Sequence, residues 1–240
     1  MTELTFPVIE VFGPTLQGEG RHIGLRTVFI RLGLCDGDGH GSWCTWCDSM
    51  FAVDPVQVKT TARYMTIDEI IQRTWAVLDG SQVEDVVISG GNPLVHAHIG
   101  ELIVALKKYY HVHVETQGTI FRECLKDAAF VIVSPKPPSS QLVPSWKSWA
   151  RFRGELPEET TVWKVVVFDK TDIKFALELD WKFLLHDLYL SVGTYPTDRV
   201  EDILERYRTL VRIVHEQAWF SRVTILPQMH VLLYGHVRGV

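Results

Sequence analysis

The chain has no apolar run approaching the ~18 residues that a membrane-spanning helix needs, so the sequence predicts no span. Its opening, MTELTFPVIEVFG, has neither a basic n-region nor an apolar h-region, and no secretory signal is expected. Excess charge is small. The 24 Lys and Arg stand against 29 Asp and Glu, a formal net charge of −5, which argues against nucleic acid or a membrane surface as the main partner. Cysteine is scarce: there are four in 240 residues, and three of them crowd together. That is no disulfide framework in a chain of this size, and it points to a reducing cytoplasm and a metal or cluster role. No internal repeat or low-complexity linker divides the chain. What is present is an ordinary soluble composition, 46% hydrophobic and 22% charged, long enough for a single domain over residues 1–240 with a substantial core.

Short β-branched runs alternate with segments of helical period. Thr27–Leu34, Asp85–Ser89, His111–Thr116, Phe130–Ser134, Val162–Phe168, Asp187–Gly193 and Arg222–Leu226 read as strands. Thr66 and Glu69 form a capping box for a helix with Ile67, Ile70, Ile71, Trp75 and Leu78 on one face and Gly80 as its C-cap. Ile99–Tyr110 is helical by period. A further helix capped by Asp198 carries Val200, Ile203, Leu204, Tyr207, Leu210, Val211 and Val214 inward. Repeated β-then-α order implies parallel strands joined by crossovers, hence an α/β fold. Seven candidate strands with uneven helices favour a partial (βα) barrel over a closed one. Ser140–Thr161 is the weakest-patterned stretch and reads as an excursion from the domain.

In such folds ligands meet the carboxyl ends of the strands, and the unusual loops fall there: Cys35, then SGGNP, ETQGT, SPKPP and LPQMH. Cys44 and Cys47 form a C-x2-C hairpin, and Cys35 lies nine residues before Cys44. Two readings fit this spacing. The three thiolates could hold three irons of a [4Fe-4S] cluster whose fourth iron is open, or His40 could join them in a Cys3His zinc site. A calcium loop at Asp36 and Asp38 fails, because its twelfth place, where a bidentate Glu belongs, is Cys47. A zinc knuckle would need none of the other rim loops; a cluster with an open iron, chelated by S-adenosylmethionine, would need backbone and polar contacts along them. Gly90 and Gly91 allow close approach of a ligand to backbone, Asn92 could accept from an ammonium, and Glu115 from ribose hydroxyls. Cys124 lies on a predicted helix and reads as a small packing hydrophobe.

The combination GPTLQGEGRHIGLRTVFIRLGLC…CTWCDS, VISGGNP, VETQGT, VSPKPPSS and LPQMHVLLYG resembles the 7-carboxy-7-deazaguanine synthase family over nearly the whole chain, from about Pro7 onward. The resemblance implies a radical S-adenosylmethionine fold with a modified core. It also implies conversion of 6-carboxy-5,6,7,8-tetrahydropterin to 7-carboxy-7-deazaguanine with loss of ammonia, in queuosine and deazapurine biosynthesis. Carried over by position, Cys35, Cys44 and Cys47 are cluster ligands and the loop about 35–49 is the cluster-binding loop. Ser49 is a Mg2+ ligand. Leu16, Gln17, Gly18, Arg31, Ser89, His230 and the carboxylate of Val240 contact the pterin. Gly91, Asn92, Glu115, Ser134, Pro135 and Lys136 contact S-adenosylmethionine, with Ser191–Thr194 near its methionine or ribose part. A small-molecule substrate, an electron donor such as flavodoxin or ferredoxin, and a homodimer are implied with it.

The residue chemistry suits these roles. Arg31 offers a planar fork to a carboxylate, Gln17 both donates and accepts at a pterin edge, and a serine hydroxyl is a hard ligand for Mg2+. Taken singly, Arg31 reads rather as a strand-end surface charge and His230 rather as a packed strand-end ring, while Ser49 reads equally as a helix N-cap. Two departures stand out: the spacing is C-x8-C-x2-C rather than C-x3-C-x2-C, and Asn92 stands where a Glu often follows the two glycines.

Overall fold

A computed structural model describes residues 3–39, 41–216 and 222–240. His40, the fourth ligand of the zinc reading, lies outside them. In chain order the elements are β1 (Thr5–Leu16), β2 (Arg26–Leu32), α1 (Met50–Val53), α2 (Pro55–Thr61), β3 (Arg63–Thr66), α3 (Ile67–Leu78), β4 (Asp85–Gly90), α4 (Ile99–Leu106), β5 (His111–Thr116), β6 (Phe130–Val133), α5 (Trp146–Glu155), β7 (Thr161–Val167), α6 (Lys170–Phe183), β8 (Leu188–Val192), α7 (Val200–Glu216), β9 (Val223–Leu226) and α8 (Met229–Tyr234).

The strands form one nine-stranded sheet in the order β3-β1-β2-β4-β5-β6-β7-β8-β9. From β2 to β9 every pairing is parallel. These parallel strands are the set expected from the β-branched runs, and the sheet stays open, with β3 and β9 at its edges. The sequence reading did not foresee β1 and β3, which add an antiparallel extension beside β2. β1 carries two register shifts and two prolines, Pro7 and Pro14, so its period-2 signal is broken where alternation would reveal a strand.

The inner positions of the parallel strands are nearly pure Val, Ile and Leu and are buried: Val28, Ile30, Ile88, Val114, Val133, Val165 and Leu190. Each contributes roughly 1.5–3 kcal/mol through removal from water. Helices then cover the sheet. The capping box of α3 is formed, with Glu69 N donating to Thr66 Oγ1 and Thr66 N to Glu69. Ile70 and Ile71 face the core as expected, but Trp75 does not: it is 47% exposed and stacks edge-on against Tyr109, while Thr74 takes the inner place. Asp79, not Gly80, holds the left-handed C-cap. The helix expected over residues 99–110 ends at Leu106. Asp198 is no cap. Its carboxylate accepts from Tyr195 N and pairs with Arg206, and the exposed Val200 opens α7. The stretch 140–161 also differs from an excursion, since α5 places Trp149 and Phe152 in the core. Its aromatic residues are spaced three apart among charged ones, too sparse a pattern to announce a helix face. Cys124 sits on a short 3-10 turn and packs against the core.

Candidate active site

Because the strands run parallel, their carboxyl ends share one rim, and one cavity opens there. It is lined by Leu16, Gln17, Gly18, Arg31, Cys35, Cys44, Cys47, Ser49, Ser89, Gly91, Glu115, Ser134, Lys136, His230 and Val240. Asn92 and Pro135 do not line it.

One wall is the cysteine loop. After β2 the chain turns through Leu34 in a left-handed conformation, and Leu34 N donates to Ala52 O. Within the long insertion Asp38 N donates to Ser42 O, and Ser42 N to Asp38 Oδ1. Thr45 and Trp46 then anchor the C-x2-C turn on Ser139, through Thr45 Oγ1 to Ser139 O at 3.0 Å and Trp46 Nε1 to Ser139 Oγ at 3.1 Å. A buried amide network ties the loop to the neighbouring strand ends. Asp36 Oδ1 accepts from both Asn92 Nδ2 and Gln117 Nε2 at 2.8 Å, and Asn92 Oδ1 accepts from Thr116 Oγ1 at 2.9 Å. Asn92 is fully buried, so its side chain braces the cysteine loop from behind instead of facing a ligand. The double glycine has the same purpose. A Cβ on Gly90 would fall 1.9 Å from Leu32 O, and one on Gly91 would fall 2.2 Å from Leu34 O and 2.8 Å from the Cys35 Cβ.

The three cysteines carry no disulfide and are half-buried. Burial pushes the Cys35 thiol up to about 11 and the Cys47 thiol up to about 12, and raises Cys44 too. Lys136 pulls all three back in part. Left to themselves these groups stay protonated at neutral pH; a thiophilic metal centre would replace the protons and carry the charge. Among the described residues no three Cys, His, Asp or Glu side chains are grouped to hold one metal ion. The donor set, three unbridged thiols on a cavity-facing loop, fits a thiolate-ligated cluster.

The opposite wall is a polar floor. The segment between β1 and β2 folds inward and delivers Glu19 to Lys164 of β7, and Gln228 Nε2 donates to Glu19 Oε1 at 2.7 Å. Thr194 Oγ1 donates to Gln228 Oε1 at 2.6 Å, and Gln17 Nε2 to Glu115 Oε1 at 3.0 Å. Burial alone would raise the Glu19 carboxyl. The Lys164 ammonium, His230 and the two hydrogen bonds outweigh it and hold that carboxyl down to about 2. Burial likewise opposes the charge on Lys164, yet Glu19 and Glu115 hold its pKa above the usual lysine range. His230 packs directly on Gly18, where any Cβ would lie 2.0 Å from Nδ1.

Arg31 stands between the walls. Its Nε donates to Glu10 Oε1 at 2.6 Å and its Nη1 to Ser49 Oγ at 3.4 Å. Ser49 heads α1 without capping it by its side chain, and its hydroxyl donates to Asp48 Oδ1 at 2.7 Å. Ser89 Oγ is buried at the cavity and has no hydrogen-bond partner, the condition of a group awaiting a ligand. Ser191 Oγ is orphaned as well but lies outside the lining. Glu19, Lys164, Gln228 and Trp46 are lining residues that went unassigned in the sequence. The signal for Lys164 was there: a lone charge inside the apolar run VWKVVVF.

Residues 34–133, from the cysteine loop to the end of β6, match the radical SAM superfamily. The chain is also 35% identical, over 98% of both lengths, to a 7-carboxy-7-deazaguanine synthase of Bacillus subtilis. The chain belongs to the 7-carboxy-7-deazaguanine synthase family. A Bacillus cereus 7-carboxy-7-deazaguanine synthase is 34% identical, again over 98% of each chain. Among solved structures, QueE from Escherichia coli shares the fold, with a TM-score of 0.61 and 22% identity over 92% of this chain and 93% of that one. For a 7-carboxy-7-deazaguanine synthase family member in the radical SAM superfamily, the cofactors are a [4Fe-4S] cluster and S-adenosylmethionine. No described helix is long and apolar enough to cross a membrane.

Proposed function

We propose that this chain is a 7-carboxy-7-deazaguanine synthase, a radical S-adenosylmethionine lyase. It contracts the ring of 6-carboxy-5,6,7,8-tetrahydropterin to 7-carboxy-7-deazaguanine and releases ammonia. The observation that carries this reading is a single cavity lined both by the three cysteines and by Gln17, Arg31, Ser89 and His230. When bound, the cluster and S-adenosylmethionine supply one-electron cleavage of the sulfonium and, through it, removal of hydrogen from the pterin.

The protein's own groups orient and desolvate. Arg31 meets the pterin carboxylate with the donor edge that Glu10 leaves free. Ser89 Oγ gains in the pterin the partner it lacks in the protein. Leu16, Gln17 and Gly18 line the base edge with His230, and Val240 brings the terminal carboxylate to the mouth. Glu115, Ser134, Lys136 and Gly91 receive S-adenosylmethionine, while Asn92 and Pro135 act from behind the wall. Ser49 would supply one hard oxygen to Mg2+, with the Asp48 carboxylate beside it. The neutralised Glu19–Lys164 pair fixes the floor in place, so that little reorganisation accompanies binding.

The chain works as a single-domain homodimer in the cytoplasm, with an electron donor of the flavodoxin or ferredoxin kind. Its test is anaerobic reconstitution followed by incubation with the carboxylated tetrahydropterin, S-adenosylmethionine, Mg2+ and a reductant. The deazaguanine product with one ammonia per turnover is expected. A brown, cluster-loaded protein that cleaves S-adenosylmethionine but leaves the pterin unchanged would point to another substrate. A colourless protein with stoichiometric zinc would restore the Cys3His reading.

A further inference from the structure

We infer that Arg238 is the second carboxylate-recognising side chain of the site and a determinant of its specificity for an acidic pterin; this rests on the substrate reading proposed above. After α8 the chain turns at Gly235, and His236 Nε2 lies 2.9 Å from Tyr195 O, so the tail starts pinned to the loop beyond β8. From there it crosses the cavity mouth, where residues 235–240 all contribute to the lining. Gly239 passes beside Glu10, close enough that a Cβ would stand 3.7 Å from Oε2. Arg238 arrives over the Phe51 ring with its guanidinium carbon 3.5 Å from the centroid. The Arg31 guanidinium carbon lies 5.6 Å from the centroid of the same ring. One phenyl ring therefore gathers two guanidinium groups at the mouth of the cavity.

The two guanidinium groups at this ring are not equally engaged. Arg31 is matched by Glu10. Lys164 is matched by Glu19. Among the described residues Arg238 forms neither an ion pair nor a hydrogen bond, and the terminal carboxylate two residues further on does not pair with it. A guanidinium laid against a ring keeps its N–H donors in its own plane, directed outward from the stack. The result is a fork without a partner in the protein beside another fork that is only partly used. Two such forks suit a planar anion entering between the β1–β2 hairpin and the cysteine loop. Arg31 alone, already engaged by Glu10, would discriminate weakly between a pterin that bears a carboxylate and one that does not. Arg238 adds a charge that only the acidic ligand satisfies.

The test is equilibrium dialysis of reconstituted holoenzyme against two stable, oxidised probes, 6-carboxypterin and unsubstituted pterin. Wild-type protein is expected to prefer 6-carboxypterin. Arg238→Gln should weaken 6-carboxypterin by about tenfold while leaving pterin unchanged, as expected for loss of one charge contact at a rim. Arg238→Lys, which keeps the charge but not the fork, should fall between. Thermal midpoints of the variants report whether the exposed tail change has disturbed the fold, and they are expected to match the wild type. Unchanged affinity for 6-carboxypterin in Arg238→Gln overturns the inference. Equal weakening of both probes also overturns it, because the tail would then be a cover and not a receptor. Wild-type protein that binds neither probe overturns the pterin reading itself.

Discussion

On one side of the cavity the cysteine loop is held by hydrogen bonds to Ser139 and by Asn92 and Gln117 donating to the Asp36 carboxylate, and its three thiols are costly to ionise where they lie. On the other side Glu19 and Lys164 are both charged, both buried and already matched to each other. The first wall is completed by what binds it; the second is complete in advance. The comparison explains how one rim can serve two ligands. A metal centre tolerates a surface that forms around it, whereas discrimination between similar heterocycles requires polar groups fixed before the ligand arrives.

The sharpest way to break this contrast is to remove a thiol. Cys47→Ala should abolish cluster retention, seen as loss of iron and of absorbance near ~400 nm, and with it all activity. Its apo-state denaturation midpoint should stay close to the wild type, because the loop lies off the core. A large fall in apo stability would show that the loop is already structural without metal.

Lys164→Met should do the opposite, leaving Glu19 buried without its cation at a cost of about 3–5 kcal/mol in chemical denaturation. Adding Glu19→Gln should recover most of that loss, and failure to recover it would mean the floor is held by something other than the ion pair.

The same pair predicts an acid signature. The Glu19 carboxyl titrates near 2 in the fold against 4.5 when free. Its contribution, on the order of 3 kcal/mol, is therefore present above pH ~4.5 and lost as pH falls toward 2. His22 adds a window at milder pH. Burial, helped by His113 and Arg21, depresses it to about 4 from 6.5, so stability declines as pH drops through that range. Urea titrations of wild type and Glu19→Gln at pH 5 and pH 3 should diverge; parallel losses would remove Glu19 from the account.

Asn92→Leu is expected to have the smallest effect, about 1–3 kcal/mol, from stranding Asp36 and Thr116. Its more telling readout is faster proteolysis within residues 36–46 of the apoprotein. Proteolysis at the wild-type rate would mean that Asn92 does not brace the loop.

What could be read from the sequence divides along the same line. The parallel strands announce themselves because a strand buried on both faces is a plain run of Val, Ile and Leu, and the cysteines because spacing alone limits what thiols can hold. Glu19, Lys164 and Gln228 come from three distant segments, and nothing local says they will meet. Asn92 looks like a ligand contact until its partners Asp36 and Thr116 are seen. β1 hides because its bulges and two prolines break the alternation, and Trp75 misleads because an amphipathic helix buries a threonine in its place. Local pattern reveals elements; long-range polar pairing does not leave one.

The most direct measurement is Mössbauer spectroscopy of protein reconstituted with labelled iron, with and without S-adenosylmethionine. Three cavity-facing thiolates predict a cube in which one iron of four changes its signal when S-adenosylmethionine is added. Four irons that remain alike and indifferent to it, or no cube at all, would contradict the account.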